Sequence, residues 1–288
     1  MKGVILAAGY GTRFLPGSKT IPKEMFPLVD TPAIELIVRE MAEAGIKDIL
    51  VVTSRRKKSL EDYFDREVEL EGLFAREGAE KKQKLIEPPA LNIFFLRQRQ
   101  MSGTADALLL VEPFVGDSPF VVAYPDDILL KGPSLSGQLA ELYRETGKAV
   151  LAAQEVPEGD ISRFGIIDSV MDGDVERLQA MVEKPAPGHE PSRLVCFGRY
   201  VYTPEIFTAL KSTRPASSTG GEFTQTEAIN HLAAEGRVVV KRFEGQLLDV
   251  GTPQGYLEAI VEYGLHRKEF RARFLEYLKG VVTREGGG

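Results

Sequence analysis

The stretch Val4-Ile5-Leu6-Ala7-Ala8-Gly9-Tyr10-Gly11-Thr12-Arg13 decides the fold of this chain. Its first three residues are a compact apolar run without polar alternation, which is typical of a short strand buried on both faces. Small residues follow at once, and a turn without bulky side chains lets phosphate groups approach backbone N–H donors. Arg13 adds a fixed fork of donors for phosphate oxygens, and Lys23 adds a movable point charge. The sequence therefore predicts a phosphate site at the end of a first strand.

Two familiar glycine motifs do not fit this loop. The dinucleotide-binding motif has a third glycine at the position where Phe14 stands. The P-loop needs Gly-Lys-Ser or Gly-Lys-Thr after a shorter gap than the one between Gly11 and Gly17-Ser18-Lys19. A flexible turn with solvated basic side chains is the alternative interpretation.

The composition is that of a globular chain. Of its 288 residues, 43% are hydrophobic and 27% are charged, so an ample core can form. A formal net charge of −6 argues against a nucleic-acid partner, which is normally met by a basic stripe. The single cysteine, Cys196, cannot form an intrachain disulfide. No apolar run suits a signal peptide or a bilayer span, so we expect a cytoplasmic protein with no membrane partner.

Helical and strand patterns alternate after the loop. Asp30-Thr31-Pro32 predicts a helix start with proline at the first helical position, and Gly45 predicts its end. With a buried strand over 49–53, this makes a βαβ unit and hence parallel strands. We predict further strands over 93–96, 120–124, 149–155, 194–202 and 238–243, and helices over 105–111, 135–146, 254–265 and 270–278.

The remaining segments have weaker patterns. Residues 65–89 are highly charged and predict a solvated helix or an insertion. Beyond Pro157 the strands shorten, and Asp172-Gly173-Asp174 predicts a hairpin in a region that could cover the edge of the sheet. Gly220-Gly221-Glu222 precedes another predicted helix, and residues 284–288 are expected to be frayed.

Two aspartates are candidate metal ligands. Asp126 follows a buried strand, where open α/β sheets bind ligands, and Asp249 stands between an apolar pair and a glycine turn. Mg²⁺ prefers oxygen ligands and commonly shares one or two carboxylates with substrate phosphates. The alternative for each aspartate is a helix cap or a turn, and from the residues alone the two interpretations of Asp126 are balanced.

Glu183 and Lys184 are a second candidate pair. In an extended segment their side chains should point to opposite sides, so that Glu183 can accept from sugar hydroxyls and Lys184 can neutralise a phosphate. An exposed turn is the alternative. His189, His231 and His266 lack the spacing of a metal site or a triad, and we expect them at the surface.

The chain has no evident nucleophile, which suits a reaction in which the substrate supplies its own. A phosphate that attacks the α-phosphorus of a nucleoside triphosphate and expels pyrophosphate needs only alignment, cations and a metal.

With these residues in view, the chain resembles the bacterial UTP–glucose-1-phosphate uridylyltransferases of the sugar-nucleotidyltransferase superfamily. The resemblance spans the chain to about Leu265. It rests on the following motifs: Leu6 to Pro16, Ile21-Pro22-Lys23-Glu24-Met25, Arg97-Gln98, Asp126-Asp127, Phe164-Gly165-Ile166-Ile167, Val182-Glu183-Lys184-Pro185, Gly198-Arg199-Tyr200-Val201, Gly220-Gly221-Glu222 and Asp249-Val250-Gly251.

The resemblance implies an α/β fold: a Rossmann-like mixed, mostly parallel central sheet flanked by helices. It is a single nucleotidyltransferase domain with a nucleotide-binding part (about 1–155), a smaller β-rich sugar-binding part (about 156–250) and C-terminal helices (about 252–280) that form a homodimer or homotetramer. The implied substrates are UTP and glucose 1-phosphate, and the implied cofactor is Mg²⁺.

The resemblance also implies a role for each motif residue. Arg13 and Lys23 hold the triphosphate, Asp126 and Asp249 ligate Mg²⁺, and Lys184 binds the sugar phosphate. The residues implied to surround the nucleotide are Leu6, Ala7, Ala8, Gly9, Gly11 and Thr12. Gln98 and Gly103 are implied to meet the uracil edge. Gly165 and Glu183 are implied to bind the glucose hydroxyls.

Three segments depart from the family pattern. Residues Ser102 to Ala107, next to the base site, look more like adenylyl- or guanylyl-transferring relatives. Pro125 stands where glycine is frequent, and Thr224-Gln225 replaces the usual Gln-Leu. The same chemistry with dTTP, ATP or GTP, or with another sugar 1-phosphate, therefore stays open. A non-catalytic sugar-nucleotide-binding regulator is the alternative from another class.

Overall fold

The computed structural model describes residues 1–156, 161, 164–186, 188–215 and 222–286. The described strands are β1 (Lys2–Leu6), β2 (Pro27–Leu28), β3 (Thr31–Pro32), β4 (Asp48–Thr53), β5 (Asn92–Arg97), β6 (Phe120–Ala123), β7 (Asp127–Lys131), β8 (Ala149–Glu155), β9 (Gly165–Asp172), β10 (Val175–Glu183), β11 (Leu194–Tyr202), β12 (Val238–Arg242) and β13 (Gln246–Asp249).

The described helices are α1 (Ala33–Glu43), α2 (Lys58–Tyr63), α3 (Val68–Glu77), α4 (Glu80–Ile86), α5 (Thr104–Leu109), α6 (Glu112–Val115), α7 (Leu135–Thr146), α8 (Glu205–Ser212), α9 (Thr226–Ala234), α10 (Pro253–His266) and α11 (Lys268–Glu285). None of the described helices is both long enough and apolar enough to cross a membrane. Three single 3₁₀ turns, Thr12–Phe14, Gly17–Lys19 and Lys23–Met25, follow β1.

A nine-stranded sheet forms the centre of the described structure, in the order β5-β4-β1-β6-β11-β8-β12-β10-β9. Strands β5, β4, β1 and β6 pair in parallel, as do β8 and β12. Strand β11 is antiparallel to β6, β8 and β9, and β10 is antiparallel to β12 and β9. The predicted βαβ start and a mixed α/β sheet flanked by helices are confirmed. The expectation of a mostly parallel sheet is wrong for the described strands, because five of their pairings in this sheet are antiparallel and four are parallel.

The core lies on both faces of this sheet. Successive residues of β1 belong to the cores on opposite faces: Val4 to the buried cluster that includes residues of α5, α8 and α9, and Ile5 to the one that includes residues of α1, α7 and α10. Both side chains are fully buried, which explains why β1 is an unbroken apolar run. The carboxyl ends of β5, β4, β1 and β6 therefore meet at one edge, with helices on either side.

Most predicted elements lie where the sequence places them. Helix α7 and strands β8 and β11 match their predicted bounds, and Gly147 ends α7 with a left-handed φ of 66°. The charged stretch 65–89 forms α3 and α4, which bury no residue. The hairpin at Gly173 joins β9 to β10 and extends the central sheet, so this region is not a separate cover.

Two helix ends differ from the prediction. Pro32 lies before α1 and not inside it, because Thr31–Pro32 is extended and pairs with Pro27–Leu28. Helix α11 continues through Glu285, so the predicted fraying from Arg284 is wrong for the residues that the structure describes. Gly220, Gly221, Gly287 and Gly288 lie outside the described residues.

A second, two-stranded sheet was absent from the sequence prediction. Strands β7 and β13 pair antiparallel, and the register places Asp249 opposite Asp127. This short sheet stands beside the edge where β6 ends. It brings the end of β13 to the turn that follows β6.

Candidate active site

A cleft of about 300 Å³ opens at the carboxyl ends of β1, β5 and β6. Leu6 ends β1, Gln98 follows β5 and Tyr124 follows β6, and all three line the cleft. Strand β1 has β4 on one side and β6 on the other, so the connections on either side of it leave in opposite directions. Open α/β sheets bind ligands at such a switch point.

The small-residue loop forms one wall of this cleft. Ala8, Gly9 and Tyr10 line it, and a Cβ on Gly9 would meet no atom within 4 Å. Ala7 is buried beneath them, and its backbone N–H donates to the carbonyl of Val52 at 2.8 Å. The loop thus presents an open backbone to the cleft, as a phosphate site requires.

The loop turns away from the cleft at Gly11. Its φ is 68°, and its carbonyl accepts a hydrogen bond from the Ser18 hydroxyl at 2.7 Å. Thr12 and Arg13 follow in a 3₁₀ turn with exposed side chains, and neither lines the cleft. Arg13 is nevertheless close enough to Lys23 to act electrostatically on its ammonium group.

Lys23 and Asp126 meet on the floor of the cleft, where Nζ of Lys23 lies 2.6 Å from Oδ2 of Asp126. Burial alone disfavours the charged ammonium group. The adjacent carboxylate outweighs that cost and raises the pKa of Lys23 above its ordinary value. The lysine is therefore charged at neutral pH.

Asp249 approaches Asp126 from the other side of the turn. Oδ2 of Asp126 and Oδ1 of Asp249 lie 2.8 Å and 3.0 Å from the point that a Cβ on Gly251 would occupy. The backbone N–H of Gly251 donates to Oδ1 of Asp249, and that of Val250 donates to the carbonyl of Asp126, each at 2.8 Å. The two carboxylates that the sequence singled out are close neighbours.

This carboxylate pair fits a divalent ion. Among the described residues there is no group of three or more histidine, cysteine, aspartate or glutamate side chains that could hold a metal by itself. Two hard oxygen donors are a set that Mg²⁺ uses when substrate phosphates and water complete its shell, and one of the pair, Asp126, lines the cleft. Asp126 and Asp249 are such a set.

Arg199 braces the turn that carries Asp126. It is fully buried and forms two hydrogen bonds of 3.0 Å to the carboxylate of Glu40. It also donates to the carbonyl of Asp127 at 2.9 Å and to that of Tyr124 at 3.4 Å. Arg199 was predicted only as part of a motif, although an arginine inside an otherwise apolar strand indicates a buried partner.

Asp127, the second member of the Asp-Asp pair, is structural. Its Oδ2 accepts from the backbone N–H of Gly198 at 2.6 Å. Burial and the neighbouring Asp126 carboxylate raise the pKa of Asp127 to about 7. Asp127 is thus held by β11, and Asp126 alone of the two lines the cleft.

A buried ion pair beneath the loop was missed by the sequence analysis. Nζ of Lys57 lies 2.7 Å and 2.8 Å from the carboxylate oxygens of Glu24, and it donates to the carbonyl of Ala7 at 2.5 Å. Burial lowers the pKa of Lys57, although Glu24 favours its charged form. No local pattern marks this contact, because Lys57 stands in a polar run whose neighbours are exposed.

Gln98 and Gly103 both line the cleft and contact each other. Nε2 of Gln98 donates to the carbonyl of Gly103 at 3.2 Å. Gly103 has a φ of 121°, and a Cβ there would lie 2.2 Å from the carbonyl oxygen of Phe223. Phe223 N–H donates to Ser102, and Ala105 N–H donates to Phe223. Only glycine fits this close approach.

Gly165, Glu183 and Lys184 form a second group. Gly165 and Glu183 are register partners, and Oε2 of Glu183 would lie 3.3 Å from a Cβ on Gly165. Burial is the main cause that raises the pKa of the Tyr124 hydroxyl, and the Glu183 carboxylate adds a smaller electrostatic contribution in the same direction. This places Glu183 near the cleft, although it does not line it.

The predicted orientation of Glu183 and Lys184 is wrong. Nζ of Lys184 lies 3.5 Å from Oε1 of Glu183. Strand β10 ends at Glu183, and Lys184 has a left-handed φ of 46°, so the alternation of a strand no longer applies. Both side chains are therefore on one side, where they form a partly exposed ion pair.

The remaining candidates stay outside the site. His189, His231 and His266 are exposed, as predicted. Cys196 is buried next to the Tyr200 hydroxyl, and burial raises the pKa of its thiol to about 12. A thiol of this kind is inert at neutral pH.

The fold is thus a mixed α/β sheet with a cleft at the carboxyl ends of its parallel strands. A family model described as nucleotidyl transferase matches residues 2–264. The chain belongs to the nucleotidyl transferase family, and the sequence-based assignment to a nucleotidyltransferase is confirmed.

Relatives with high similarity carry more specific names. A UTP–glucose-1-phosphate uridylyltransferase of Bacillus subtilis is 41% identical over 287 residues, which cover 99% of this chain and 96% of that protein. A UTP-bound UGPase from Acinetobacter baumannii has a TM-score of 0.85 at 34% identity, covering 96% of this chain and 98% of that one. A UDP-glucose pyrophosphorylase complexed with UDP-glucose has a TM-score of 0.82 at 38% identity, covering 92% and 99%.

Proposed function

We propose that this chain transfers a uridylyl group from UTP to glucose 1-phosphate and releases UDP-glucose and pyrophosphate. The observation that carries the proposal is the meeting of Lys23, Asp126 and Asp249 beside the open backbone of the small-residue loop. The relatives named above, which are uridylyltransferases and UDP-glucose pyrophosphorylases, support the choice of base and sugar.

In the proposed reaction the substrate phosphate is the nucleophile. An oxygen of glucose 1-phosphate attacks the α-phosphorus of UTP, and the bond from that phosphorus to the bridging oxygen of the β-phosphate breaks. Pyrophosphate leaves with the bonding electrons. No protein atom becomes covalently attached, so the chain's task is to align two anions and to offset their repulsion.

Cationic side chains supply much of that compensation. Lys23, charged and already in the cleft, neutralises the triphosphate, and exposed Arg13 folds onto its outer oxygens. Lys184 meets the phosphate of the sugar. The residues proposed to surround the nucleotide are Leu6, Ala7, Ala8, Gly9, Gly11 and Thr12.

Asp126 and Asp249 would hold Mg²⁺. The ion supplies charge neutralisation at the triphosphate when it is bound. Nζ of Lys23 lies 2.6 Å from Oδ2 of Asp126, so an ion bound to this carboxylate would free the lysine for phosphate.

Base and sugar are proposed to lie on opposite sides of the cleft. Gln98 offers an amide and Gly103 a backbone group to the uracil edge. Gly165 leaves room for the glucose ring, and the carboxylate of Glu183 accepts from its hydroxyls. We assign the nucleotide-binding part to about 1–155, the sugar-binding part to about 156–250 and the C-terminal helices to about 252–280.

The decisive experiment is Mg²⁺-dependent pyrophosphate release with glucose 1-phosphate over UTP, dTTP, ATP and GTP. The proposal expects release with UTP and UDP-glucose as the product. If pyrophosphate is released faster with another triphosphate, the proposed base is wrong and the base of that triphosphate takes its place. Tight binding of UDP-glucose with no release under any condition identifies a regulator instead.

The assembly and the location of the protein are further proposals. A homodimer or homotetramer through the C-terminal helices and a cytoplasmic location remain predictions. Sedimentation of the full chain at several concentrations tests the first, and fractionation of cells that produce it tests the second.

A further inference from the structure

A second pocket, about 860 Å³ in volume, adjoins the cleft. The two share a wall made of Tyr10, Gln98 and Met101. The rest of the second pocket comes from the segments that follow β4 and end β5. Four arginines line it, and we call it the arginine pocket after them: Arg55, Arg56, Arg97 and Arg99.

Most of the positive charge in the arginine pocket is uncompensated. Arg97 is paired with Glu61 at 3.1 Å. Arg56 donates to the backbone carbonyl of Lys19 at 2.9 Å, which is a neutral acceptor. Arg55 and Arg99 are exposed and have no hydrogen bond or ion pair with any described residue. No acidic residue lines the pocket in the described part of the chain.

This positively charged cluster lies on a chain whose formal net charge is negative, −6. Guanidinium groups that converge on one cavity repel one another unless an anion lies among them. Their planar forks match phosphate oxygens in pairs, and several of them favour a ligand with more than one phosphate. Tyr10, whose side chain is largely exposed, adds an aromatic face at the wall.

We propose that the arginine pocket binds a second, multiply phosphorylated ligand at a site distinct from the substrate cleft. Its volume is within the range of pockets that hold nucleotide-sized molecules. Lys23 and Asp126 do not line it, so the ligand is bound there and not transferred. Because Tyr10 and Gln98 face both cavities, an occupant of the arginine pocket is in contact with the wall of the nucleotide cleft.

The test measures binding of sodium tripolyphosphate to the full chain by titration calorimetry, with EDTA present. A variant R13Q/K23Q removes the cations that are proposed to hold triphosphate in the cleft. We expect this variant to keep one tripolyphosphate site. Adding R55S/R99S should weaken that site at least tenfold, because two exposed guanidinium groups are lost.

A matched control removes two exposed arginines elsewhere, R76S/R284S, from α3 and α11. It should leave binding within twofold. The same comparison on the otherwise unchanged chain saturated with UDP-glucose repeats the test with the cleft cations intact. Retention of the site in both backgrounds, with loss only in R55S/R99S, supports the proposal.

Three results would overturn it. Binding that is already lost in R13Q/K23Q places the anion in the cleft. If R55S/R99S leaves tripolyphosphate binding unchanged, these two arginines do not contribute to the site. Equal weakening by R76S/R284S shows only a general effect of net charge. None of these measurements needs turnover, so each outcome leaves the proposed reaction to its own test.

Discussion

Lys23 and Asp126 form a 2.6 Å ion pair at the floor of the cleft, which joins the proposed triphosphate ligand to the proposed metal ligand. The ammonium group of Lys23 compensates the charge of the partly buried Asp126 carboxylate. It also means that loss of either side chain leaves the other uncompensated. Substitutions at this pair therefore have to be interpreted with both partners in mind.

Asp126→Asn should lower kcat on the order of 100-fold, because metal-assisted charge neutralisation contributes several kcal/mol to such reactions. The variant should also need more Mg²⁺ for half-maximal rate. Pyrophosphate release measured against Mg²⁺ concentration checks both. Asp117→Asn, at an exposed aspartate before β6, is the control and should behave like the parent chain. Unchanged turnover of Asp126→Asn at saturating Mg²⁺ would contradict the assignment.

Lys184→Ala should raise the KM for glucose 1-phosphate roughly tenfold, because a charged hydrogen bond to phosphate contributes about 1.5 kcal/mol. The KM for UTP should change little. Lys211→Ala is a matched control, since Lys211 is also a half-exposed lysine paired with a glutamate. Initial rates with each substrate varied in turn separate the two constants. An unchanged KM for the sugar phosphate removes Lys184 from the site.

Lys57→Met should destabilise the protein by about 3–5 kcal/mol, because the Glu24 carboxylate is left buried and unpaired. The double variant E24Q/K57M removes that charge and should recover much of the stability. It should still show a raised KM for UTP, since the Ala7 carbonyl has lost its donor. Urea unfolding and initial rates give the two readings. Recovery of both by E24Q/K57M would mean that Lys57 only neutralises Glu24.

Glu176→Gln should reduce stability at pH 7 and have little effect at low pH. Hydrogen bonds from Arg242 lower the pKa of Glu176 below its ordinary 4.5. The resulting stabilisation is fully present above pH 4.5 and is lost as pH falls through the lower, folded-state value. Urea unfolding between pH 3 and pH 7 tests this expectation. Glu87→Gln, at an exposed position, should follow the parent curve, and parallel curves for Glu176→Gln would refute the linkage.

The sequence predicted correctly those elements that are determined by a few neighbouring residues. The apolar run of β1, the glycine that ends α7 and the Asp-Gly turn between β9 and β10 each depend on a few neighbouring residues. The two carboxylates were also recognisable, because each follows an apolar strand at a turn. Their convergence was not, since it depends on the pairing of β7 with β13.

The buried charges were harder to predict. Lys57 reaches Glu24 and Ala7 across the interior, and Arg199 reaches Glu40 in the same manner. Such contacts join distant segments and leave no periodic signal. The predicted orientation of Lys184 was wrong for a related reason. One residue with a left-handed backbone at the end of a strand ends the alternation of side chains on which the prediction was based.

The close contact between Gly103 and Phe223 has a consequence for engineering. Two backbone hydrogen bonds join the segment around Gly103 to the Phe223 segment that leads into α9. There is no space for a side chain between the two segments. A graft that exchanges residues 98–107 alone would pack against a Phe223 segment from a different protein, whose backbone need not match it. Under the proposed role of Gln98 and Gly103 at the base, a redesign of base preference requires both segments to come from the same donor enzyme.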